Sequence, residues 1–182
     1  MIVIVSGSIR PGSNALKVAQ HLDSRYRAAG AETALLDLRT LPPEAYQGEA
    51  YAKRPEAVTK GFVEPVLAAD GLVVVVPEYN GSYPGALKHF VDLLPFPESF
   101  ENRPVAFVGI AAGYYGGLRA VEQLQMVFAY RNGLLFNKRV FIPAVYGIFD
   151  EDNNIKDEAI RERLENQSTA FLTFVGEHRR PG

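Results

Sequence analysis

Residues 2–14 read Ile2-Val3-Ile4-Val5-Ser6-Gly7-Ser8-Ile9-Arg10-Pro11-Gly12-Ser13-Asn14, a β-branched run that leads directly into a loop of small residues. A helical pattern begins at Ala15, so the local order is strand, loop and helix. The loop combines hydroxyl groups, glycines, one fixed cation and the free N–H groups of a helix N-terminus, which together suit a bound phosphate. The alternative is a simple capped turn, because Ser13 and Asn14 are also favourable N-cap residues.

Short β-branched segments alternate with helical patterns along the rest of the chain, as in a parallel sheet covered by helices. Strands are predicted at residues 2–5, 33–38, 72–76, 105–110 and 140–142, and helices at residues 15–29, 57–69, 84–94, 117–130 and within 157–176. The third strand has no polar residue, which is typical of a central strand buried on both faces. The sequence therefore predicts one α/β domain over residues 1–182, a doubly wound five-stranded parallel sheet with helices on both faces.

Composition narrows the possible functions. Nineteen basic and twenty-one acidic residues give a formal net charge of -2, which offers no general attraction for nucleic acid. The absence of cysteine excludes disulfides, thiolate nucleophiles and cysteine-ligated metals, so redox chemistry would require a bound organic cofactor. No apolar run approaches the roughly 18 residues of a membrane span, and no basic region precedes the first strand. We therefore expect a cytoplasmic protein without a membrane partner.

Two further loops follow the third and fourth predicted strands. They read Pro77-Glu78-Tyr79-Asn80-Gly81-Ser82-Tyr83 and Ala111-Ala112-Gly113-Tyr114-Tyr115-Gly116-Gly117. Both combine glycines with aromatic residues, and the carboxyl ends of parallel strands meet at one edge of the sheet, where ligands bind near the topological switch point. Backbone groups of such loops can bind the polar edge of a flat heterocycle while an aromatic or apolar face covers its ring.

Taken together, the three loops resemble the NADPH-dependent FMN reductase family of flavodoxin-like proteins, and three motifs in order are more specific than any one. The matching residues are Gly7-Ser8-x-Arg10-x-x-Ser13-Asn14, Pro77-Glu78-Tyr79-Asn80-x-Ser82-x-Pro84-Gly85-x-Leu87-Lys88-x-x-x-Asp92 and Gly113-x-x-Gly116-Gly117-x-Arg119-Ala120. The chain departs from the family at His89, where Asn is frequent. It departs again at Ala111-Ala112, where Ser or Gly is common.

The resemblance implies a cofactor and the residues that bind it. Ser8, Arg10, Ser13 and Asn14 would hold the phosphate of FMN. Pro77, Glu78, Tyr79, Asn80 and Gly81 would lie along the isoalloxazine. The flavin's other edge would be closed by the residues of the third motif region, Gly113, Tyr114, Tyr115, Gly116 and Gly117.

The resemblance also implies the reaction. NADPH, or NADH, would give a hydride to N5 of the bound FMN, and two electrons would then pass to a quinone, flavin or similar small acceptor by ping-pong kinetics. Because the cofactor carries this chemistry, no catalytic side chain and no metal site are predicted. The alternatives are a flavodoxin-like FMN electron carrier that does not oxidise nicotinamides, and an FMN-free binding module. Flavodoxins are usually strongly acidic, so the near-neutral charge favours the reductase.

Further expectations concern four individual residues and one segment. His21 and His178 are predicted on surface helices, and His89 is predicted to pack or hydrogen-bond at a subunit contact. For Arg119 we expect a structural ion pair ahead of the alternatives, which are a contact with the flavin pyrimidine edge, a cofactor phosphate or a partner subunit. The segment from Leu41 to Arg54 shows no period and is predicted to be a surface loop or lid.

A homodimer or homotetramer is expected from the apolar content of the two helices beside the second and third loops. One apolar stripe per helix is sufficient to cover the sheet, and a surplus suggests a second partner. The surplus comprises Phe90, Val91, Leu93, Leu94, Phe96, Leu124, Met126, Val127, Phe128 and Tyr130. The alternative is that all of these side chains fill the core of a single chain.

Overall fold

The computed structural model describes residues 1–178. Its strands are β1 (Ile2–Ser6), β2 (Thr33–Asp37), β3 (Gly71–Pro77), β4 (Pro104–Ile110), β5 (Leu134–Leu135) and β6 (Val140–Ile142). Its helices are α1 (Asn14–Ala28), α2 (Glu56–Val58), α3 (Glu64–Ala68), α4 (Gly85–Leu93), α5 (Leu118–Tyr130) and α6 (Glu158–Glu177). A π-helical turn at Thr59–Val63 joins α2 to α3.

All strand pairs of the sheet are parallel, and the order is β2-β1-β3-β4 followed by β5 and β6. The two last strands share one position beside β4: β5 pairs with its start at Pro104 and Val105, and β6 pairs with its end. The predicted doubly wound sheet is thus confirmed, with β5 as an additional strand. Since β5 has only two residues, it is too short to show any alternation in the sequence.

The helices cover both faces of the sheet. On one face, α1 and α6 pack on alternate residues of the central strands, with Ile4, Val73 and Val108 among the buried side chains. On the other face, α3, α4 and α5 pack on the intervening residues, including Val74 and Phe107. Side chains of successive strand residues point to opposite faces, so the fully apolar β3 contributes to both cores.

Helix boundaries follow local chemistry. Ser13 caps α1, its Oγ accepting from the N–H of Leu16 at 3.2 Å, as its position before the helical pattern predicts. The helix predicted over residues 57–69 forms but contains the π turn, which ends directly before α3 and Pro65. Proline has no N–H and its ring crowds the carbonyl one turn earlier, so a wider turn accommodates it.

The segment from Leu41 to Arg54 is more ordered than a plain surface loop. It forms two 3₁₀ turns, Pro43–Tyr46 and Gly48–Tyr51, and buries Leu41, Ala45 and Ala50. His89 of α4 fastens it, because its ring stacks on Tyr46 at 4.6 Å and its Nε2 lies 2.8 Å from the carbonyl oxygen of Ala45. His89 thus packs and hydrogen-bonds within the chain itself, and its predicted subunit contact stays a prediction.

Hydropathy sets one further limit on the fold. None of the helices in residues 1–178 combines the length and apolar character needed to cross a membrane.

Candidate functional site

A cavity of about 770 Å³ opens at the carboxyl edge of the sheet, where β1 and β3 lie side by side and the chain winds in opposite directions. This is the switch point of the sheet, and the volume lies within the roughly 300–1,000 Å³ of small-molecule sites. The cavity is lined by Ser8, Arg10, Pro11, Gly12, Ser13, Asn14, Ala15, Lys17, Pro77, Glu78, Tyr79, Asn80, Ile110, Ala111, Ala112, Val145 and Tyr146.

The loop between β1 and α1 supplies an anion-binding end. Within residues 1–178, no acceptor is found for the backbone N–H groups of residues 12–15, which surround the first turn of α1. Free N–H groups and the helix dipole at this position favour a negative charge. Two cationic side chains, Arg10 and Lys17, also line the cavity, and the lining contains one carboxylate, that of Glu78. The charge balance of the lining therefore favours an anionic ligand.

Ser8 connects this loop to the loop after β3. Its side chain is 1% exposed, and its Oγ lies 2.6 Å from the hydroxyl of Tyr79 and 3.2 Å from the backbone nitrogen of Arg10. The guanidinium of Arg10 lies over the Tyr79 ring, 4.2 Å from its centroid. The two loops are thus joined by side chains at the cavity wall.

A tight turn orients the Tyr79 side chain toward Ser8. Tyr79 and Ser82 exchange backbone hydrogen bonds of 2.8 and 3.1 Å, and between them Asn80 and Gly81 have positive φ of 53° and 78°. Asn-Gly favours such a two-residue turn because both residues tolerate the left-handed conformation. Gln123 of α5 holds the turn by accepting from Ser82 Oγ at 2.5 Å and donating to the carbonyl of Gly81 at 3.2 Å.

Glu78 contributes a carboxylate to the cavity wall, and only one of its two oxygens has a partner among residues 1–178. Its Oε1 lies 3.6 Å from Nη1 of Arg119, so the ion pair predicted for Arg119 is present. Its Oε2 is buried and has no hydrogen-bond partner within the described chain. A buried acceptor without a donor carries a desolvation cost that a ligand N–H or O–H would remove.

The loop after β4 occupies two environments. Ala111 and Ala112 line the cavity, whereas Gly113, Tyr114, Tyr115, Gly116 and Gly117 do not. Tyr114 and Tyr115 are exposed and pack edge to face, with ring centroids 5.6 Å apart. Gly116 and Gly117 are buried against the backbones of β6 and β4. Gly81, the other predicted residue outside the lining, lies in the turn beside it.

Several residues of the lining were not predicted from the sequence. Val145 and Tyr146 enter from the segment after β6, where Ala144 adopts a left-handed φ of 47°. Lys17 reaches the cavity from the first turns of α1, and its Nζ lies 5.1 Å from the Phe149 ring centroid. Lys17 could have been found, because it lies four residues after Ser13 and so on the same helix face.

The remaining two histidines lie outside the cavity lining. His178 is exposed at the end of α6, as predicted. His21 is half-buried, so its predicted surface position is only partly right. Burial lowers the pKa of His21 below its ordinary value, and the charges of Arg25 and Arg161 lower it further.

The donor set of the cavity fits FMN. The free N–H groups of residues 12–15, with Arg10 and Lys17, match a single phosphate group. Pro77, Ile110 and Ala111 provide apolar surface for a flat ring. The unpaired Oε2 of Glu78 offers an acceptor for a hydroxyl or imide donor of the same molecule.

The relatives of this chain among known proteins include two of almost the same length. An NAD(P)H-dependent FMN reductase of Pseudomonas aeruginosa is 30% identical over 174 residues, 94% of this chain and 92% of that protein. A quinone reductase of Escherichia coli K12 is 29% identical over 181 residues, 96% of this chain and 94% of that protein.

Solved structures share the fold at lower sequence identity. A flavoenzyme NAD(P)H:(acceptor) oxidoreductase from Paracoccus denitrificans superposes with a TM-score of 0.83 at 24% identity, covering 98% of both chains. Oxidised Flavodoxin 2 from Bacillus cereus superposes with a TM-score of 0.63 at 20% identity, covering 95% of this chain and 98% of that chain. The fold is therefore flavodoxin-like. Because residues 1–147 match the family described as NADPH-dependent FMN reductase, the chain belongs to that family.

Proposed function

We propose that this protein is an FMN-dependent NAD(P)H oxidoreductase that passes two electrons to a quinone or a similar small acceptor. The observation that carries the proposal is the cavity at the β1/β3 switch point, which combines a net cationic, N–H-rich end with apolar walls. Membership of the FMN reductase family and the named activities of the two relatives support the same activity.

Each part of the lining would have a distinct task. Ser8, Arg10, Ser13 and Asn14 would hold the phosphate, with Lys17 as a second cation. By the family resemblance Pro77 to Gly81 would lie along the isoalloxazine and Gly113 to Gly117 would close its other edge, although Gly81 and Gly113 to Gly117 lie outside the cavity lining. FMN, when bound, supplies the two-electron chemistry. The protein orients the ring and keeps one face open to substrates, a positioning role rather than acid–base catalysis.

The choice of substrates is less constrained than the cofactor. NADPH is proposed as the donor on family membership, and NADH belongs in the same experiment. A quinone is proposed as the acceptor because the Escherichia coli relative is named a quinone reductase. The absence of a nucleic-acid or membrane partner and the cytoplasmic location remain predictions from the sequence.

Anaerobic stopped-flow mixing tests the proposed function. The purified protein, reconstituted with FMN, is mixed with NADPH and in parallel with NADH, and flavin absorbance is followed. We expect bleaching with at least one nicotinamide, and reoxidation when a benzoquinone is added in a second mixing step. Flavin that stays oxidised with both nicotinamides would reject the reductase and favour the flavodoxin-like electron carrier.

We still propose a homodimer or homotetramer, but fewer apolar side chains support it than the sequence suggested. Most of the apolar side chains of the surplus are buried in the core of the single chain, namely Phe90, Val91, Leu93, Leu94, Leu124 and Phe128. Phe96, Met126 and Tyr130 remain exposed, and the guanidinium of Arg131 lies 4.6 Å from the Phe96 ring centroid and 5.4 Å from that of Tyr130. This exposed apolar cluster is the surface we expect to be covered in an oligomer.

Light scattering measures the mass of the protein in solution and so gives its oligomeric state directly. At micromolar concentration the wild type is expected to give twice or four times the chain mass of 20.0 kDa. Met126→Glu should shift the mass toward the monomer, because a charge in an apolar contact is poorly tolerated. Thr169→Glu, at an exposed position of α6 on the opposite face of the sheet, is the control and should leave the mass unchanged. A monomeric wild type would contradict the proposal.

A further inference from the structure

Tyr79 contacts both charged and polar groups of the phosphate-binding loop. Its hydroxyl lies 2.6 Å from Ser8 Oγ, and its ring lies beneath the guanidinium of Arg10 at 4.2 Å. Both contacts come from one side chain, which the Asn80–Gly81 turn directs toward β1. The family resemblance placed Tyr79 along the isoalloxazine instead.

The hydrogen-bond capacity of Ser8 determines what this contact can do. A serine hydroxyl has one hydrogen to donate and two lone pairs to accept. One lone pair of Ser8 accepts from the backbone N–H of Arg10 at 3.2 Å. If the hydroxyl of Tyr79 donates to the second lone pair, the hydrogen of Ser8 is left for an acceptor in the cavity, which Ser8 lines. A donor to Ser8 Oγ also strengthens the bond that Ser8 itself donates.

Tyr79 also orients the guanidinium of Arg10. Arg10 is exposed and forms no ion pair among residues 1–178, so the aromatic face is the contact that limits the freedom of its guanidinium. A cation over a tyrosine ring within about 6 Å is attracted by the ring electrons. The ring therefore holds a cation beside the free N–H groups of α1.

We propose that Tyr79 is a positioning residue of the phosphate site, acting through Ser8 and Arg10 rather than through the flavin ring. Its hydroxyl directs the hydrogen of Ser8 into the cavity, and its ring holds Arg10 in place. The inference rests on the proposed function to the extent that the cavity binds FMN. It deepens that function by assigning Tyr79 to recognition of the phosphomonoester.

Riboflavin provides the test, because it is FMN without the phosphate. The apoprotein is titrated with FMN and with riboflavin, and flavin fluorescence gives the two dissociation constants. Tyr79→Phe removes one hydrogen bond, so FMN binding should weaken roughly 3- to 10-fold while riboflavin binding stays unchanged. Tyr83→Phe is the matched control, since no hydrogen bond is found for the hydroxyl of Tyr83 within residues 1–178. Its affinities for FMN and for riboflavin should equal those of the wild type.

A double-mutant cycle tests the route through Ser8. In the Ser8→Ala background, adding Tyr79→Phe should cause no further loss of FMN affinity, because the hydroxyl has lost its partner. Circular dichroism checks that each variant folds. Equal weakening for FMN and riboflavin would place Tyr79 at the flavin ring, and unchanged FMN affinity would remove its hydroxyl from the site. Either result overturns the inference. Wild-type protein that binds neither flavin would instead overturn the proposed function, and the inference with it.

Discussion

Replacing Arg103 by methionine is expected to lower the free energy of unfolding by about 3–5 kcal/mol, the cost of breaking a buried charged network. The arginine is 1% exposed and precedes β4. Its guanidinium donates to the carbonyls of Leu67 and Ala69 at the end of α3, and to those of Glu98 and Ser99 in the loop before β4. Methionine keeps the apolar stem but removes every donor, which leaves these carbonyls without this partner.

Urea denaturation followed by circular dichroism measures the effect. Arg39→Met is the matched control, because Arg39 is exposed and, within residues 1–178, its side chain pairs only with Asp37, with 3.2 Å between Nε and Oδ2. A surface pair of this kind contributes at most about 1 kcal/mol. Arg103→Lys should fall between the two, because its ammonium cannot reach carbonyls on both sides at once. Equal losses for the Arg103 and Arg39 variants would show that the buried network contributes nothing special.

Arg103 also illustrates what the sequence cannot reveal. An arginine in a loop before a strand is ordinarily exposed, and nothing near it in the sequence marks it as buried. The four carbonyls that bind it belong to segments separated from it by up to 36 residues. Only the packing of α3 against the start of β4 brings these acceptors together, and packing between distant segments leaves no local pattern.

The fold, in contrast, could be predicted almost completely. Apolar runs of five to seven residues determine β1, β3 and β4, and amphipathic periods determine the long helices α1, α5 and α6. The doubly wound arrangement also follows, because right-handed crossovers leave few arrangements for such an alternation. The errors lie where elements are short or irregular, as in β5 and in the π turn before Pro65.

The candidate site could be predicted in part. The loops after β1 and β3 follow their strands directly in sequence and line the cavity as expected. Val145 and Tyr146 were missed because their approach depends on a left-handed Ala144, a conformation that alanine rarely adopts and that no sequence pattern announces. For the third motif, the family resemblance implied glycines at the flavin edge, whereas Gly113 to Gly117 lie outside the cavity lining and two of them, Gly116 and Gly117, pack against the backbones of β6 and β4.

That packing role leads to the second large expected effect, a loss of about 2–5 kcal/mol of folding free energy in Gly116→Ala. Gly116 has a φ of +58°, which costs an L-residue about 1–2 kcal/mol. A Cβ there would lie 2.7 Å from the backbone nitrogen of Ile142 and 2.9 Å from its carbonyl carbon. Backbone atoms of β6 cannot move aside as a flexible side chain would, so overpacking adds about 1–3 kcal/mol.

Two further glycine-to-alanine variants separate strain from crowding in the same denaturation experiment. Gly30 has a φ of +80° with no atom within 4 Å of the added Cβ, so Gly30→Ala should show the strain alone, about 1–2 kcal/mol. Gly113 has neither a left-handed φ nor a close neighbour, and Gly113→Ala should be nearly neutral in stability. If Gly116→Ala lowers the free energy of unfolding no more than Gly30→Ala does, the close approach of Gly116 to β6 does not affect stability. A loss well beyond that of Gly30→Ala means that Gly116 is required for the start of α5 to pack against β6, whatever its relation to the flavin.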